Sequence, residues 1–219
     1  MAAEEPPVLA KYQRIAWLYD LLDLPFERGR YRKIRPLMWE GLSGRILDVG
    51  VGTGRNIPYY PIGAATEIVG IDLSPAMLQQ AERRSRKLHR TVELRRMDVT
   101  KLDFPDHSFD AAVATFLFCV LPEESQVPGL KELFRVVKPG GTIRLLEYVR
   151  PQGRFRGAVA KLWEPWMRWA YGAGFDRRTE HHLDRVLAQD HRDQVRAHHV
   201  TVRTEFVVAD LIKLIEIRT

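Results

Sequence analysis

The sequence from 45 to 56 is Arg45-Ile-Leu-Asp48-Val-Gly50-Val-Gly52-Thr-Gly54-Arg-Asn56, a short apolar run followed by three alternating glycines. After a gap of helical length, Glu67-Ile-Val-Gly-Ile-Asp72 forms a second apolar run that also ends in an acidic residue. This order is typical of a βαβ unit that binds an adenosine-containing ligand at the carboxyl ends of its strands. The stretch therefore predicts an α/β domain with a ligand site at the glycine turn.

The glycines suit a loop that turns sharply and lets the backbone approach a ligand, where a Cβ would obstruct contact. Asp72 lies at the end of the second strand, where its carboxylate can accept hydrogens from both ribose hydroxyls. The dinucleotide pattern G-x-G-x-x-G needs glycine at position 55, which is Arg55. Asp48 disfavours a pyrophosphate and favours a cationic amino acid. A plain glycine turn in an ordinary α/β domain is the alternative interpretation of the loop by itself.

The loop Asp48-Val-Gly-Val-Gly-Thr-Gly54 resembles the first motif of the class I S-adenosylmethionine-dependent methyltransferases. Two later motifs are specific in combination: Phe104-Pro-Asp-x-Ser-Phe109-Asp110 and Leu133-x-Arg135-Val-x-Lys138-Pro-Gly-Gly141. The resemblance covers residues 45–150. It implies a Rossmann-like α/β fold with a seven-stranded, mostly parallel sheet that ends in an antiparallel hairpin. It also implies S-adenosylmethionine as the cofactor and S-adenosylhomocysteine as the product.

The same resemblance implies where the cofactor binds. Asp48 would lie near its amino group, Asp72 at the ribose, and Asp98 with Val99 at the adenine. Met77 would pack on the adenine ring, although its helical spacing also suits a core residue. The implied set is Tyr19, Asp48, Gly50, Gly52, Thr53, Gly54, Asn56, Asp72, Leu73, Met77, Asp98, Val99, Thr115 and Phe116.

Length and composition favour one domain, because 219 residues with 45% hydrophobic residues can bury a single core. Within it the sequence predicts an N-terminal helical segment (1–42), a cofactor-binding core (43–150), an insertion on the acceptor side (151–199) and a C-terminal hairpin (200–219). The predicted strands are 45–49, 67–72, 91–97, 111–118 and 142–149, with hairpin strands 200–208 and 210–218. Ser74 is predicted to cap a helix over 75–89, with Pro75 in its first turn. A second helix is predicted to end at Val137, and a loop is predicted over 184–199.

Cys119 is the single cysteine, so no internal disulfide can form and a reducing cytosol is expected. No apolar run approaches the ~20 residues of a membrane span, and no signal peptide is apparent, so we expect a soluble or peripheral cytoplasmic protein. The net charge of +6 predicts an anionic partner. Charge alone does not choose between nucleic acid and an acidic membrane surface.

Two aromatic and basic segments favour the membrane. Residues 8–24 predict an amphipathic helix that Pro25 ends, and a basic cluster follows: Arg28, Arg30, Arg32, Lys33 and Arg35. Within 151–182, Trp163, Trp166 and Trp169 alternate with arginine and lysine, a composition that suits the headgroup level of a bilayer. The alternatives are a core helix for the first segment and a lid packed on the sheet for the second.

The segment after the fourth strand, Ala114-Thr-Phe-Leu-Phe-Cys119-Val-Leu, is apolar and lacks the Asp/Asn-Pro-Pro-aromatic clamp of enzymes that methylate nucleic-acid bases. We therefore expect an apolar acceptor and no nucleic-acid partner. The whole chain resembles bacterial phospholipid N-methyltransferases, on stretches that include Leu146-Glu-Tyr148-Val-Arg150, Trp163-Glu-Pro-Trp166 and Asp176-Arg-Arg-Thr-Glu180. This implies a monomer that methylates phosphatidylethanolamine toward phosphatidylcholine on the cytoplasmic face of the inner membrane.

The acceptor ammonium must lose a proton before it can attack the methyl group. Tyr148, at the carboxyl end of the fifth strand, is the first candidate for this role. Further candidates are Tyr19, Tyr171, His181 and His182, with Arg177 or Arg178 binding the phosphate. The adjacent histidines have the wrong spacing for a helical metal site, so no metal is predicted. The competing functions are a C-methyltransferase of quinone precursors or another small-molecule methyltransferase, and a non-catalytic, cofactor-binding protein of lipid surfaces. A basic nucleic-acid binder is a third alternative, which the missing clamp disfavours.

Overall fold

The computed structural model describes residues 24, 26–63, 66–151, 153, 157–158, 161–162, 164–165, 178–193 and 200–219. Several predictions from the sequence lie outside these residues. They are the amphipathic helix before Pro25 with Tyr19, the tryptophans Trp163, Trp166 and Trp169, and the candidates Tyr171 and Arg177.

The core is a seven-stranded sheet in the order β3-β2-β1-β4-β5-β7-β6. The strands are β1 (Arg45–Val49), β2 (Glu67–Asp72), β3 (Glu93–Arg96), β4 (Phe109–Thr115), β5 (Val137–Tyr148), β6 (Thr201–Val208) and β7 (Ile212–Arg218). The first five strands pair in parallel, whereas β7 pairs antiparallel with β5 and with β6. The predicted fold class is confirmed. The strand order reverses between β1 and β4, and ligands of such sheets bind outside the carboxyl ends of the strands at that point.

In the part of the chain that the structure describes, three long helices cover the sheet: α1 (Pro75–Lys87), α2 (Glu123–Val136) and α3 (Thr179–Asp193). Short helical turns precede β1, at Glu27–Tyr31, Arg32–Ile34 and Pro36–Met38, and Ile57–Tyr59 forms another after the glycine loop. As predicted, Ser74 caps α1, because its hydroxyl accepts a hydrogen bond from the Met77 amide at 3.3 Å. Within the described residues, no helix is long and apolar enough to cross a membrane.

The predicted loop over 184–199 is wrong for residues 184–193, which belong to α3. Leu183, Val186 and Leu187 recur at helical spacing and pack against the sheet. Burial of these side chains stabilises the helix. The intervening charged residues concealed this stripe in the sequence.

Strand boundaries also differ from the predictions, most of all at the end of β4 and the start of β5. β4 ends at Thr115 instead of Phe118, because Phe116 has a φ of +57° and the chain leaves the sheet there. β5 begins at Val137 instead of Thr142. The pairing of β4 with β5 is irregular between Phe109 and Ala111, so the glycine-containing start of β5 is accommodated as a bulge.

Alternate residues of each strand fill two apolar layers, as expected for a sheet covered on both faces. Ile46, Ile68 and Tyr148 face the N-terminal helical turns and α1. Leu47 and Val69 face α2 and α3. The first layer is tied to the sheet by the buried Arg144 of β5, whose Nη1 donates to the carbonyl oxygens of Leu37 and Glu40 at 3.1 and 2.7 Å.

Candidate active site

The glycine loop after β1 has the left-handed backbone that its sequence predicts. Gly50, Gly52 and Gly54 have φ values of +71°, +55° and +78°. A Cβ on Gly54 would lie 2.6 Å from Ile57 Cδ1 and 3.0 Å from the Cα of Ala81. At Gly52 a Cβ would meet only the Gly50 carbonyl oxygen, at 3.9 Å. Gly54 is therefore required by packing, while Gly52 borders open space that a ligand can occupy.

Asp72 joins this loop to the carboxyl end of β2. Its carboxylate accepts hydrogen bonds from the amides of Gly52 at 2.9 Å and Ser74 at 2.8 Å. Burial raises its pKa, and these two amides oppose that effect. Each carboxylate oxygen has a further lone pair, so Asp72 can still accept hydrogens from ribose hydroxyls as predicted.

Asp48 lies beneath the loop and is fully buried. Its carboxylate accepts a hydrogen bond from the Tyr60 hydroxyl at 2.5 Å and from Asn56 Nδ2 at 3.4 Å. Burial raises its pKa to about 6, while the Tyr60 and Asn56 hydrogen bonds and the positive charge of Arg35 oppose the rise. Asp48 thus holds Asn56 and Tyr60, which follow the loop, and its contact with a cofactor amino group stays a prediction.

A buried polar network connects Asp48 with the N-terminal turns and with β4. Asn56 Nδ2 donates to Thr115 Oγ1 at 3.1 Å, and Asn56 Oδ1 accepts from Arg35 Nη1 at 2.9 Å. Arg35 Nε also pairs with Glu27 Oε2 at 3.0 Å. The structure therefore brings together the predicted site residues Asp48, Asn56 and Thr115.

Three aromatic rings form a second feature at the same edge of the sheet, called here the aromatic cluster: Tyr31, Phe116 and Tyr148. The Phe116 ring stacks on Tyr148 with centroids 5.0 Å apart and is tilted against Tyr31 at 4.9 Å. The hydroxyls of Tyr31 and Tyr148 are hydrogen-bonded to each other. The Arg35 guanidinium lies 5.6 Å from the Tyr31 centroid and 6.0 Å from that of Phe116. Two predicted residues, Phe116 and Tyr148, thus meet here.

The remaining predicted cofactor residues lie near the ends of β1, β2 and β3. Met77 is buried in the first turn of α1, and Val99 is buried after β3. Asp98 is exposed, and its carboxylate accepts hydrogen bonds from the amide and hydroxyl of Thr100, both at 2.8 Å. The carbonyl oxygens of Thr53 and Leu73 accept hydrogen bonds from Arg84 and Arg96, at 2.8 and 3.2 Å.

The candidates near residue 180 lie apart from the aromatic cluster. His182 is buried on α3, and its Nε2 lies 3.1 Å from Glu123 Oε1 of α2, without the alignment of a hydrogen bond. α3 packs on the face of the sheet opposite Tyr148. His181 and Arg178 are exposed. The structure therefore does not bring these three residues together with Tyr148. Among the residues that the structure describes, no cluster suits a metal ion.

Sequence reasoning missed Tyr31, Tyr60 and Glu27, none of which lies in a local motif. It also assigned Arg35 to an exposed basic cluster, and this is wrong, because Arg35 is buried and paired with Glu27. Arg30, Arg32 and Lys33 of that cluster are exposed. Glu27, the acidic residue next to the cluster, was the one signal in the sequence that part of the cluster is buried.

Comparison with known proteins identifies the family. A family profile described as a methyltransferase domain matches residues 46–141. The chain is 36% identical, over 148 residues, to a phosphatidylethanolamine N-methyltransferase of Cereibacter sphaeroides, a match that covers 67% of this chain and 68% of that protein. The chain belongs to the class I S-adenosylmethionine-dependent methyltransferases. Its cofactor is accordingly S-adenosylmethionine, and the open space at Gly52 above Asp72 fits such a ligand.

Other methyltransferases are also similar to this one. A demethylmenaquinone methyltransferase of Deinococcus radiodurans is 34% identical over 157 residues, which cover 69% of this chain and 64% of that protein. A solved methyltransferase from Aquifex aeolicus has a TM-score of 0.63 and 20% identity, covering 92% of this chain and 97% of that one. A geranyl diphosphate methyltransferase solved with S-adenosylmethionine has a TM-score of 0.61 and 13% identity, covering 86% and 84%. The structural matches establish the fold of the methyltransferase, and the sequence matches divide between two acceptor classes.

Proposed function

We propose that this methyltransferase transfers methyl groups to the amino nitrogen of phosphatidylethanolamine and of its mono- and dimethyl derivatives, yielding phosphatidylcholine. The aromatic cluster carries the proposal, because it presents three rings and two hydroxyls at the carboxyl ends of β4 and β5. The similarity to a protein named phosphatidylethanolamine N-methyltransferase supports the same acceptor.

The rings suit a cationic acceptor. The methylated products are cations at neutral pH, the trimethylated one permanently, and aromatic faces attract cations by about 0.5–2 kcal/mol each, depending on exposure. The Arg35 guanidinium lies against Tyr31 and Phe116. Its charge is paired with Glu27, so these rings contact one cation without a net positive charge from that pair.

The hydroxyls suit the proton transfer. An alkylammonium and a phenol have similar reference pKa values, ~10.4 and ~10, so a proton passes from the ammonium to a phenolate at little cost in free energy. Tyr148 is the residue we assign to receive that proton: its phenolate oxygen, hydrogen-bonded to the Tyr31 hydroxyl, becomes a phenol as the ammonium becomes a neutral amine. S-adenosylmethionine supplies a methyl group that its sulfonium already activates. The chain's main task is therefore to align the acceptor nitrogen with that methyl group.

We further propose that the protein acts as a monomer on the cytoplasmic face of the inner membrane. Arg30, Arg32 and Lys33 are exposed on the N-terminal turns, and the side chain of Leu37 beside them is 38% exposed. Basic residues with apolar neighbours suit an anionic lipid surface, where each contributes about 1 kcal/mol.

A second candidate function is C-methylation of a quinone precursor, favoured by the similarity to the demethylmenaquinone methyltransferase. Its acceptor is an aromatic carbon without a permanent positive charge. Such an acceptor would not be bound through attraction between a cation and the aromatic rings.

The test uses S-adenosylmethionine labelled in the methyl group, with vesicles of phosphatidylethanolamine and phosphatidylglycerol that also contain a demethylated quinone. We expect label in mono-, di- and trimethylated phosphatidylethanolamine, separated by thin-layer chromatography. We also expect slower labelling at high salt, because the screening length falls from ~10 Å at 0.1 M to ~3 Å at 1 M ionic strength. Label in the quinone alone would overturn the proposed acceptor, and equal rates at both salt concentrations would overturn the basic membrane contact.

A further inference from the structure

The turn between β4 and α2 (residues 116–121) has an unusual backbone. Phe116 has a φ of +57°, a left-handed conformation that is uncommon for residues other than glycine and costs of order 1 kcal/mol or more. One helical turn follows, in which the amides of Val120 and Leu121 donate to the Leu117 carbonyl at 3.0 and 3.1 Å. Such a conformation persists only where its surroundings enforce it.

Two buried side chains hold this turn from opposite sides. Glu147 of β5 is 1% exposed, and its Oε1 and Oε2 accept hydrogen bonds from the amides of Phe118 at 3.0 Å and Cys119 at 2.7 Å. Gln126 of α2 is fully buried, and its Nε2 donates to the carbonyl oxygens of Phe118 at 2.7 Å and Leu121 at 3.1 Å. The carboxylate therefore satisfies two amides near the start of the helical turn, and the amide group of Gln126 satisfies one carbonyl near its start and one at its end.

Consecutive residues of the turn contact the two halves of the site. The Phe116 ring lies 5.0 Å from that of Tyr148 in the aromatic cluster. The next side chain, Leu117, packs so closely at the glycine loop that a Cβ on Gly50 would lie 2.9 Å from its Cδ1. A displacement of this turn would therefore disturb both the cofactor loop and the acceptor residues.

We propose that Glu147, in its ionised form, is a positioning residue for methyl transfer, since it holds the turn that seats Phe116 in the aromatic cluster and Leu117 against the cofactor loop. The proposal rests on the proposed function only for the identity of the acceptor. A neutral glutamine at 147 would have the same shape but would offer the amides one weaker acceptor and a competing donor.

The surroundings of Glu147 make its ionisation sensitive to pH near neutrality. Burial raises its pKa to about 7, against the opposing hydrogen bonds from the amides of Cys119, Phe118 and Leu117. Burial and the Glu147 charge also raise the pKa of the Cys119 thiol, which therefore stays neutral. Charged and titratable groups on the elements packed around Glu147 include Lys213 of β7, which pairs opposite it, Lys213's ion-pair partner Glu180 of α3, His182 of α3 and Glu123 of α2.

The experiment compares the wild-type protein with Glu147→Gln and with the control Glu216→Gln, which removes a partly buried carboxylate of β7 that pairs with Arg144. Amide hydrogen exchange of the segment 116–121 is measured without acceptor at pH 6 and 8 and expressed as protection factors. The amides of the turn lower the pKa of the buried Glu147 carboxyl, so an opening that breaks these hydrogen bonds while Glu147 stays buried is less favourable when Glu147 is ionised. We therefore expect wild-type protection to be greater at pH 8 than at pH 6, by up to about tenfold for this one group. Glu147→Gln should give low protection at both pH values, and Glu216→Gln should behave as the wild type.

The same proteins are assayed for binding and turnover at pH 8. We expect Glu147→Gln to bind S-adenosylhomocysteine about threefold to tenfold more weakly and to lower kcat by at least tenfold on the acceptor that the wild type methylates. If Glu147→Gln does not fold, Gln126→Met is used in its place and should show the same loss of protection and of kcat. Wild-type protection and kcat in the folded variant would overturn the role of Glu147. Failure of the wild type to label phosphatidylethanolamine would overturn the proposed function alone, because the exchange experiment contains no acceptor.

Discussion

The glycine loop and the aromatic cluster lie at the same edge of the sheet but are built in different ways. The loop uses backbone conformation and two carboxylates, all within residues 48–72. The aromatic cluster uses side chains from three separate segments, and its two hydrogen-bonded tyrosines are 117 residues apart in sequence. The cofactor half therefore leaves one short sequence motif, whereas the acceptor half depends on tertiary contacts, and its third ring, Tyr31, lies in no motif.

The largest expected effect concerns the acceptor half. Tyr148→Phe keeps the ring that stacks on Phe116 but removes the hydroxyl bonded to Tyr31. General acid–base groups contribute roughly 100- to 10,000-fold, so we expect the single-turnover rate to fall about 1,000-fold. The affinity for S-adenosylhomocysteine, measured by calorimetry, should not change. Tyr59→Phe serves as the control, and an unchanged rate in Tyr148→Phe would remove this hydroxyl from the mechanism.

The second effect concerns the cofactor half. Gly54→Ala places a Cβ 3.0 Å from the Ala81 Cα in a backbone conformation that costs a residue other than glycine about 1–2 kcal/mol. Together with the steric overlap, this should weaken S-adenosylhomocysteine binding about 100-fold. The matched control is Gly63→Ala, where the nearest atom to the added Cβ is Thr66 Oγ1 at 3.6 Å. If both variants bind S-adenosylhomocysteine equally well, cofactor binding does not depend on the left-handed backbone at Gly54.

The smallest effect is a pH dependence of stability beneath the glycine loop. The folded-state pKa of Asp48 is raised from 3.8 to about 6, so folding favours its protonated form. The free energy of unfolding should therefore fall as pH rises from about 4 to about 6 and then level off, by on the order of 2 kcal/mol for this group. Asp48→Asn lacks the titration but can still accept the Tyr60 hydroxyl.

Urea unfolding at pH 4.5 and 7.5, without cofactor, measures this difference. The stability of Asp48→Asn relative to that of the wild type should be about 2 kcal/mol greater at pH 7.5 than at pH 4.5. An equal pH dependence of stability in both proteins would mean that burial does not raise the pKa of Asp48.

Local sequence patterns predicted the parts of the molecule that local physics determines. The β1-loop-β2 unit, the Ser74 cap and the C-terminal hairpin follow from alternation, glycine placement and capping, and the structure contains all three. The helix over 184–193 was missed because its few apolar residues recur among many charged ones. Their role as one apolar face is evident only from their packing against the sheet. Tyr31 and Glu27 were missed because their partners, Tyr148 and Arg35, are fixed only by the tertiary fold.

The buried Arg35 links the two halves of the site. One guanidinium donates to Asn56 beside the glycine loop and lies against the rings of Tyr31 and Phe116. A shift of Asn56 when the cofactor binds would therefore move a positive charge relative to the acceptor rings. Thermodynamic reciprocity then requires that an acceptor which gains affinity from the bound cofactor raises the affinity for the cofactor by the same factor. In a methyltransferase with this connection, the cofactor and the acceptor would each change the affinity for the other by the same factor.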